Sequence, residues 1–269
     1  MARDAEPQTA GPLASEAREL LASARALLEE LVEEGVDQFE RAAPGPVARN
    51  PAPSRQPREA PRVRPAPSEG GQLGLVGDDA PWGEEPTLEE VREALGECTR
   101  CRLCEGRTQI VFGDGSPSAD LMFIGEGPGA EEDRRGLPFV GRAGELLTQM
   151  IEKGLGIARS QVYICNIVKC RPPQNRTPLA DEAGTCRAFL DGQISAIRPR
   201  VLIALGRPAS SLLLGRDIAI TRVRGTWQEY RGIPLMPTFH PAFVLRRYTP
   251  ENRRLVWNDL KAALERSRE

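Results

Sequence analysis

Three thiols, Cys98, Cys101 and Cys104, stand close together in "CTRCRLC", in a chain that holds only six cysteines and one histidine. Thiolates bind soft and borderline metals, and Cys-x-x-Cys spacing lets two sulfurs reach one centre. Cys98 with Cys101 makes such a pair, and so does Cys101 with Cys104. Further ligands must come from elsewhere. Cys170 stands beside a proline-fixed loop, and Cys186 lies within the helical stretch that follows. Cys165 sits inside an apolar run and reads as a small core residue. Four thiolates suit zinc and an iron–sulfur cluster equally, and the spacings do not decide between them. A thioredoxin-like redox pair fits less well, because that motif follows a strand and opens a helix, whereas here it follows a helix.

The elements that must position such residues are legible from Thr87 onward. Thr87 with Glu90 forms a capping box that opens a short helix. Four short, continuous apolar runs follow: "DLMFIGE" (120–126), "QVYICNIV" (161–168), "RVLIALG" (200–206) and "IPLMPTFH" (233–240). Helical stretches lie between them at 142–153, 179–197 and 207–214, and a last helix runs from a Thr249 cap with Pro250 behind it to Arg266. Continuous apolar strands alternating with helices predict an α/β fold. Its expected form is three layers, α/β/α, around a four-stranded, mainly parallel sheet. Sites in such sheets lie beyond the C-terminal strand ends. Those ends carry "GEGPG" (125–129), "NIVKCRPPQNR" (166–176) and "HPAFVLR" (240–246), the last with the only histidine, His240. Taken alone, a single histidine is more often structural than functional.

Taken together, the motifs resemble a family 4 uracil-DNA glycosylase, the iron–sulfur type of that superfamily. The resemblance covers residues 95–265 and rests on six motifs in order: "CTRC" (98–101), "GEGPGAEED" (125–133), "GLPFVGRAGELL" (136–147), "NIVKCRPPQNRTP" (166–178), "ALG" (204–206) and "HPAFVLR" (240–246). It implies a 4Fe–4S cluster on Cys98, Cys101, Cys170 and Cys186, with Cys104 outside the ligand set. It implies hydrolysis of the bond between C1′ and uracil N1 in single- or double-stranded DNA, the first step of base excision repair, by a monomeric catalytic domain. His240 is then expected to donate to uracil O2 as charge builds there. Asn166 is expected to read O4 and N3–H, and Phe139 to stack on the flipped base. Gly127 lets main chain approach the base, and Glu126 and Glu132 are the carboxylates available to position water. Lys169, Arg171, Arg176 and Arg246 suit phosphate contacts, and Leu245 suits the gap left by the flipped base. A covalent-adduct relative is not expected, since that subgroup needs a second histidine in an inserted basic loop. A non-enzymatic DNA binder would have no use for His240 and Asn166 at strand ends, and a redox protein none for the histidine or the glycine loop.

Ahead of this domain, residues 15–34 follow helical apolar spacing, and an N-terminal segment of 1–42 is expected to hold a helix that packs at home or docks a protein partner. Residues 43–86 are proline-rich and expected to form a disordered linker, leaving 87–269 as the catalytic domain. Residues 1–87 hold 9 Lys+Arg against 16 Asp+Glu, and 88–269 hold 27 against 22, so the basic side is the one expected to meet DNA. No apolar run reaches membrane-spanning length and the N-terminus has no signal-peptide pattern, so a cytoplasmic protein with reduced cysteines is expected.

Overall fold

The computed structural model describes residues 82–83 and 85–269. The expected N-terminal helix, with its proposed partner, and nearly all of the expected linker lie outside the described residues. In chain order the elements are α1 (Leu88–Leu95), β1 (Asp114–Gly115), β2 (Leu121–Gly125), α2 (Ala130–Arg135), α3 (Arg142–Gln149), β3 (Tyr163–Asn166), α4 (Ala180–Ile197), β4 (Val201–Leu205), α5 (Gly206–Leu214), α6 (Ile220–Val223), β5 (Gln228–Tyr230), β6 (Ile233–Thr238), α7 (Pro241–Arg246) and α8 (Pro250–Arg266). No helix among them is long and apolar enough to cross a membrane.

The apolar runs become strands because both their faces are covered. Along β2, Leu121 and Phe123 point to one side, and Met122 and Ile124 to the other. Register carries this alternation across the sheet: Phe123 pairs with Ile164 and Ile203, and Ile203 with Met236, which makes one apolar row. That row packs on α3, α7 and α8 through Leu147, Val244, Val256 and Leu260. The opposite face packs on α4 and α5 through Leu190, Ile194, Ala209 and Leu213. The expected three layers are therefore present.

The sheet holds six strands rather than four, in the order β1-β3-β2-β4-β6-β5. The four expected strands form its parallel centre, and two short antiparallel strands close the edges. β5 and β6 are joined by a two-residue turn, Arg231-Gly232, with both residues at positive φ, the geometry that matches the twist of a hairpin. The chain goes from β2 to one neighbour, β3, and then back across to the other, β4. This reversal opens a crevice at the C-terminal strand ends.

The Thr87 capping box forms as expected: its hydroxyl accepts from Glu90 N–H at 3.2 Å, and Glu90 accepts from Thr87 N–H at 2.7 Å. Thr249 caps α8. The helix expected over 142–153 is α helical only to Gln149 and then widens into a π-helical turn, Met150–Leu155. Trp82, ahead of the boundary expected at Thr87, packs with Val91, Leu95, Phe112 and Phe189. Gly192 makes room for it, since a Cβ there would lie 2.7 Å from the indole.

Candidate active site

β2 ends at Gly125 directly beside Asn166, the last residue of β3. A Cβ on Gly125 would lie 2.5 Å from Asn166 Oδ1 and 2.5 Å from Phe139 Cζ, so the absent side chain leaves the space in which carboxamide and ring meet. The Phe139 ring stands 5.6 Å from the His240 ring, inclined by 33°. His240 in turn stands over the end of β4, where a Cβ on Gly206 (φ +86°) would come 3.0 Å from the histidine Cβ. Three strand ends and one loop thus gather Gly125, Phe139, Asn166, Gly206 and His240. The Asn166 side chain is almost wholly buried, yet its Oδ1 has no hydrogen-bond partner among the described residues.

The surroundings hold this group still. Phe139 adopts φ 52°, uncommon for an aromatic residue and sustained only when its surroundings insist. Glu132 insists from one side: its Oε1 accepts from Val140 N–H at 2.8 Å and Gly141 N–H at 2.9 Å, and its Oε2 accepts from Gly129 N–H at 3.2 Å. From the other side, a Cβ on Gly144 would lie 2.0 Å from the Phe139 carbonyl carbon, so α3 packs its backbone against the loop. Lys169 does the same for Asn166. Its ammonium, fully buried, donates to the Asn166 carbonyl at 2.8 Å and to Gln193 Oε1 at 2.6 Å.

The electrostatics follow from this burial. His240 caps α7 by accepting from Ala242 N–H at Nδ1, 3.1 Å, so in the neutral ring the proton sits on Nε2. Burial, with the nearby Arg246 charge, pushes this imidazole down to about 4. Burial raises the Glu126 carboxyl above the ordinary range, although a Thr177 hydrogen bond and Arg246 oppose the shift.

The cysteines gather on the sheet side away from α3. Burial pushes the Cys170 thiol up; Arg107 pulls it down, and Cys101 and Cys98 add to the rise. Cys186 is pushed up to about 11 by burial first, with Cys170 and Cys101 contributing and Lys169 opposing. Two guanidiniums donate to sulfur: Arg100 to Cys98 at 3.3 Å and Arg107 to Cys170 at 3.4 Å. Among the described residues, no three His, Cys, Asp or Glu form a site for a single metal ion. Cys101 also feels Cys98 and Cys104, so five thiols share this region, and the N–H donors aimed at Cys98 and Cys170 are of the kind that stabilise sulfur carrying negative charge.

The family model of the uracil DNA glycosylase superfamily matches residues 112–261. A type-4 uracil-DNA glycosylase of Thermotoga maritima is 47% identical over 184 residues, 68% of this chain and 95% of that protein. One from Sulfurisphaera tokodaii is 44% identical over 187 residues, 66% of this chain and 84% of that protein. The chain belongs to the type-4 uracil-DNA glycosylases.

Within this uracil-DNA glycosylase, not every residue expected at the site reaches it. His240, Phe139 and Asn166 come together. Glu126 and Arg246 flank them, near enough for Arg246 to act on both Glu126 and His240. Glu132, expected as a water-positioning carboxylate, is instead engaged by three main-chain amides and buckles the Phe139 loop. Lys169, expected on phosphate, is fully buried because two inward acceptors claim its ammonium. Arg176 likewise turns inward, onto the buried Glu182 carboxylate at 2.7 and 2.8 Å. Gly127 faces the loop after β3, where a Cβ would lie 3.0 Å from Val168 Cγ2, whereas Gly125 is the glycine set against Asn166 and Phe139. Gly125 was within sight, as the strand-ending glycine of "GEGPG". Arg171 bonds Asn175 at 2.8 Å in the exposed loop after Cys170, and Leu245 lies on α7 past His240.

Proposed function

We propose that the chain hydrolyses the N-glycosidic bond of uracil in DNA, with Asn166, Phe139 and His240 as the groups that touch the base. The observation that carries the reading is the orphaned Asn166 Oδ1. Leaving a buried acceptor unpaired costs about 1–3 kcal/mol, a loss recovered when a ligand supplies the donor. Uracil N3–H is such a donor, and the Asn166 amide N–H completes the pair at O4. Cytosine presents an acceptor at N3 and a donor at C4, so it would leave both Asn166 groups opposed to their like. Phe139 covers the ring of the flipped base.

As the bond breaks, uracil leaves with the electron pair and the sugar becomes oxocarbenium-like. A neutral His240 donates from Nε2 to O2, where the charge collects, and keeps its own proton. Glu126 is the carboxylate left to orient water onto C1′, since Glu132 is spoken for. Such a cation needs no strong base to capture water. Arg171 and Arg246 meet phosphate, and Leu245 fills the stack. Cys98, Cys101, Cys170 and Cys186 hold a 4Fe–4S cluster, whose contribution is to tie the segment after α1 to the loop after β3 and to α4. An absorption band near the visible–ultraviolet edge, lost on iron removal, checks that assignment.

Uracil release from a single-stranded uracil-containing oligonucleotide tests the function. His240→Ala is expected to lower kcat about 100- to 1,000-fold with little change in KM. Full activity in His240→Ala, or no release by the iron-replete wild type, would overturn the reading.

A further inference from the structure

A second cleft, of about 500 Å³, lies at the far end of the helices that start at the uracil pocket. α3 begins just after Phe139 and α7 directly after His240, and the two helices pack together. Their other ends lead into the π-helical turn and into Tyr248, and the cleft opens between them. α3 spans about 12 Å, the rise of roughly three stacked nucleotides.

The lining is aromatic and cationic: Tyr248 and Trp257 with Lys153, Arg253 and Arg254, and no acidic residue. Among the described residues none of these three cations joins an ion pair. Trp257 and Tyr248 keep 40% and 57% of their surface in water, a poor placement for large rings with no other use. Trp257 is also set in place. A Cβ on Gly154 would lie 2.9 Å from its Cζ3, so a side chain in the π-helical turn would push the indole from its place. The Arg253 guanidinium lies over the Tyr248 ring, 5.0 Å from its centroid, so this ring offers a base one face at most and Trp257 is the main platform.

We propose that this cleft binds unpaired nucleotides of the same DNA strand, a few positions from the uracil, by stacking bases on Trp257 and Tyr248 while Lys153, Arg253 and Arg254 neutralise the phosphates. The proposal rests on the uracil reading of the first pocket. Flat rings with cations recognise any base, and Gln149 is the one carboxamide in the lining, so the site adds length-dependent affinity with little sequence preference. An acidic peptide would satisfy the cations but leave the ring faces idle.

Two readouts on the full chain separate this site from the first. Fluorescence anisotropy with a uracil-free single strand reads the cleft without any excision. Trp257→Ala with Tyr248→Ala is expected to weaken that binding about tenfold, and Trp257→Phe alone to keep most of it. An oligonucleotide of the same length without bases is expected to bind wild type and double variant alike. In the excision assay, the double variant is expected to lose the lower KM that a long strand enjoys over one trimmed to two nucleotides on each side. Unchanged affinity of a double variant with wild-type thermal unfolding would overturn the cleft, and so would equal competition by a base-free strand or an acidic peptide. Weakened strand binding by the double variant of a protein that releases no uracil would instead sink the first reading, leaving a single-strand cleft with no uracil site to serve.

Discussion

At the scale of single residues, the site depends on one missing methyl group and one hidden charge. Gly125→Ala would drive a carbon to 2.5 Å from both Asn166 Oδ1 and Phe139 Cζ, and neither can retreat without leaving the pocket. Excision should fall at least on the order of 100-fold, because displacement of an aligned group by about 1 Å has that effect on rate, and stability should drop by about 1–3 kcal/mol from the overpacking, too little to unfold the chain at assay temperature. Lys169→Met would strip the Asn166 carbonyl and Gln193 Oε1 of their shared donor inside the core. The expected cost is roughly 2–4 kcal/mol in urea unfolding, from two acceptors left unpaired. His240 gives the pH dependence. Its imidazole stays neutral down to about 4 in the folded chain but takes a proton near 6.5 when unfolded. As pH falls from 6.5 to 4 the unfolded chain gains a proton the folded one refuses, so the fold should lose about 3 kcal/mol over that window and no more below it. His240→Phe should remove this slope. Residue types were legible in the sequence; directions were not. Lys169, Arg176 and Glu132 stand in motifs that read as loop charges, and only packing shows that each faces inward.

At the scale of elements, continuous apolar strands and 3.6-period helices announced the layers, because a strand buried on both faces cannot be polar. The edges were silent. β1 is "DG" and β5 is "QEY", and neither carries an apolar run. The turn before β6 reads Arg-Gly, not the Asn-Gly or Asp-Gly that marks a hairpin. α2 hides behind a glycine-rich sequence and exists to aim Glu132 at the loop it buckles. Glu132→Ala should free Val140 and Gly141 and let Phe139 leave φ 52° for a relaxed conformation. The expected outcome is a KM for uracil-containing strands raised about tenfold and faster amide exchange at Val140 and Gly141, whereas a water-positioning role would show in kcat. Between the loop after β3 and α4, Arg176 and Glu182 form the corresponding brace. Arg176→Ala leaves the Glu182 carboxylate with only the Leu179 N–H at 2.8 Å and Arg102 at 3.8 Å, so thermal unfolding should come at a lower temperature and amide exchange at Leu179 should speed up.

At the scale of the whole molecule, the domain begins earlier than its first legible helix. Trp82 covers Val91, Phe112 and Phe189 from a segment whose proline and glycine content gives no hint of a core. Removing residues 1–86 should therefore lower thermal stability by roughly the 3–5 kcal/mol of a buried tryptophan, whereas removing 1–80 should leave both stability and excision unchanged. A pair of thermal melts distinguishes the two.

The four thiols proposed as ligands come from widely separated stretches of chain, Cys98 and Cys101 just after α1, Cys170 after β3 and Cys186 on α4. During synthesis the first two emerge from the ribosome about seventy residues before the third, and the fourth only with the helix that follows. Anything bridging them is necessarily a late arrival, installed after β2 and β3 have been made. The cluster proposed for them would then close its loop only on a sheet whose first strands already exist, so it would fasten the base-reading loop after β3 without being needed to start the sheet.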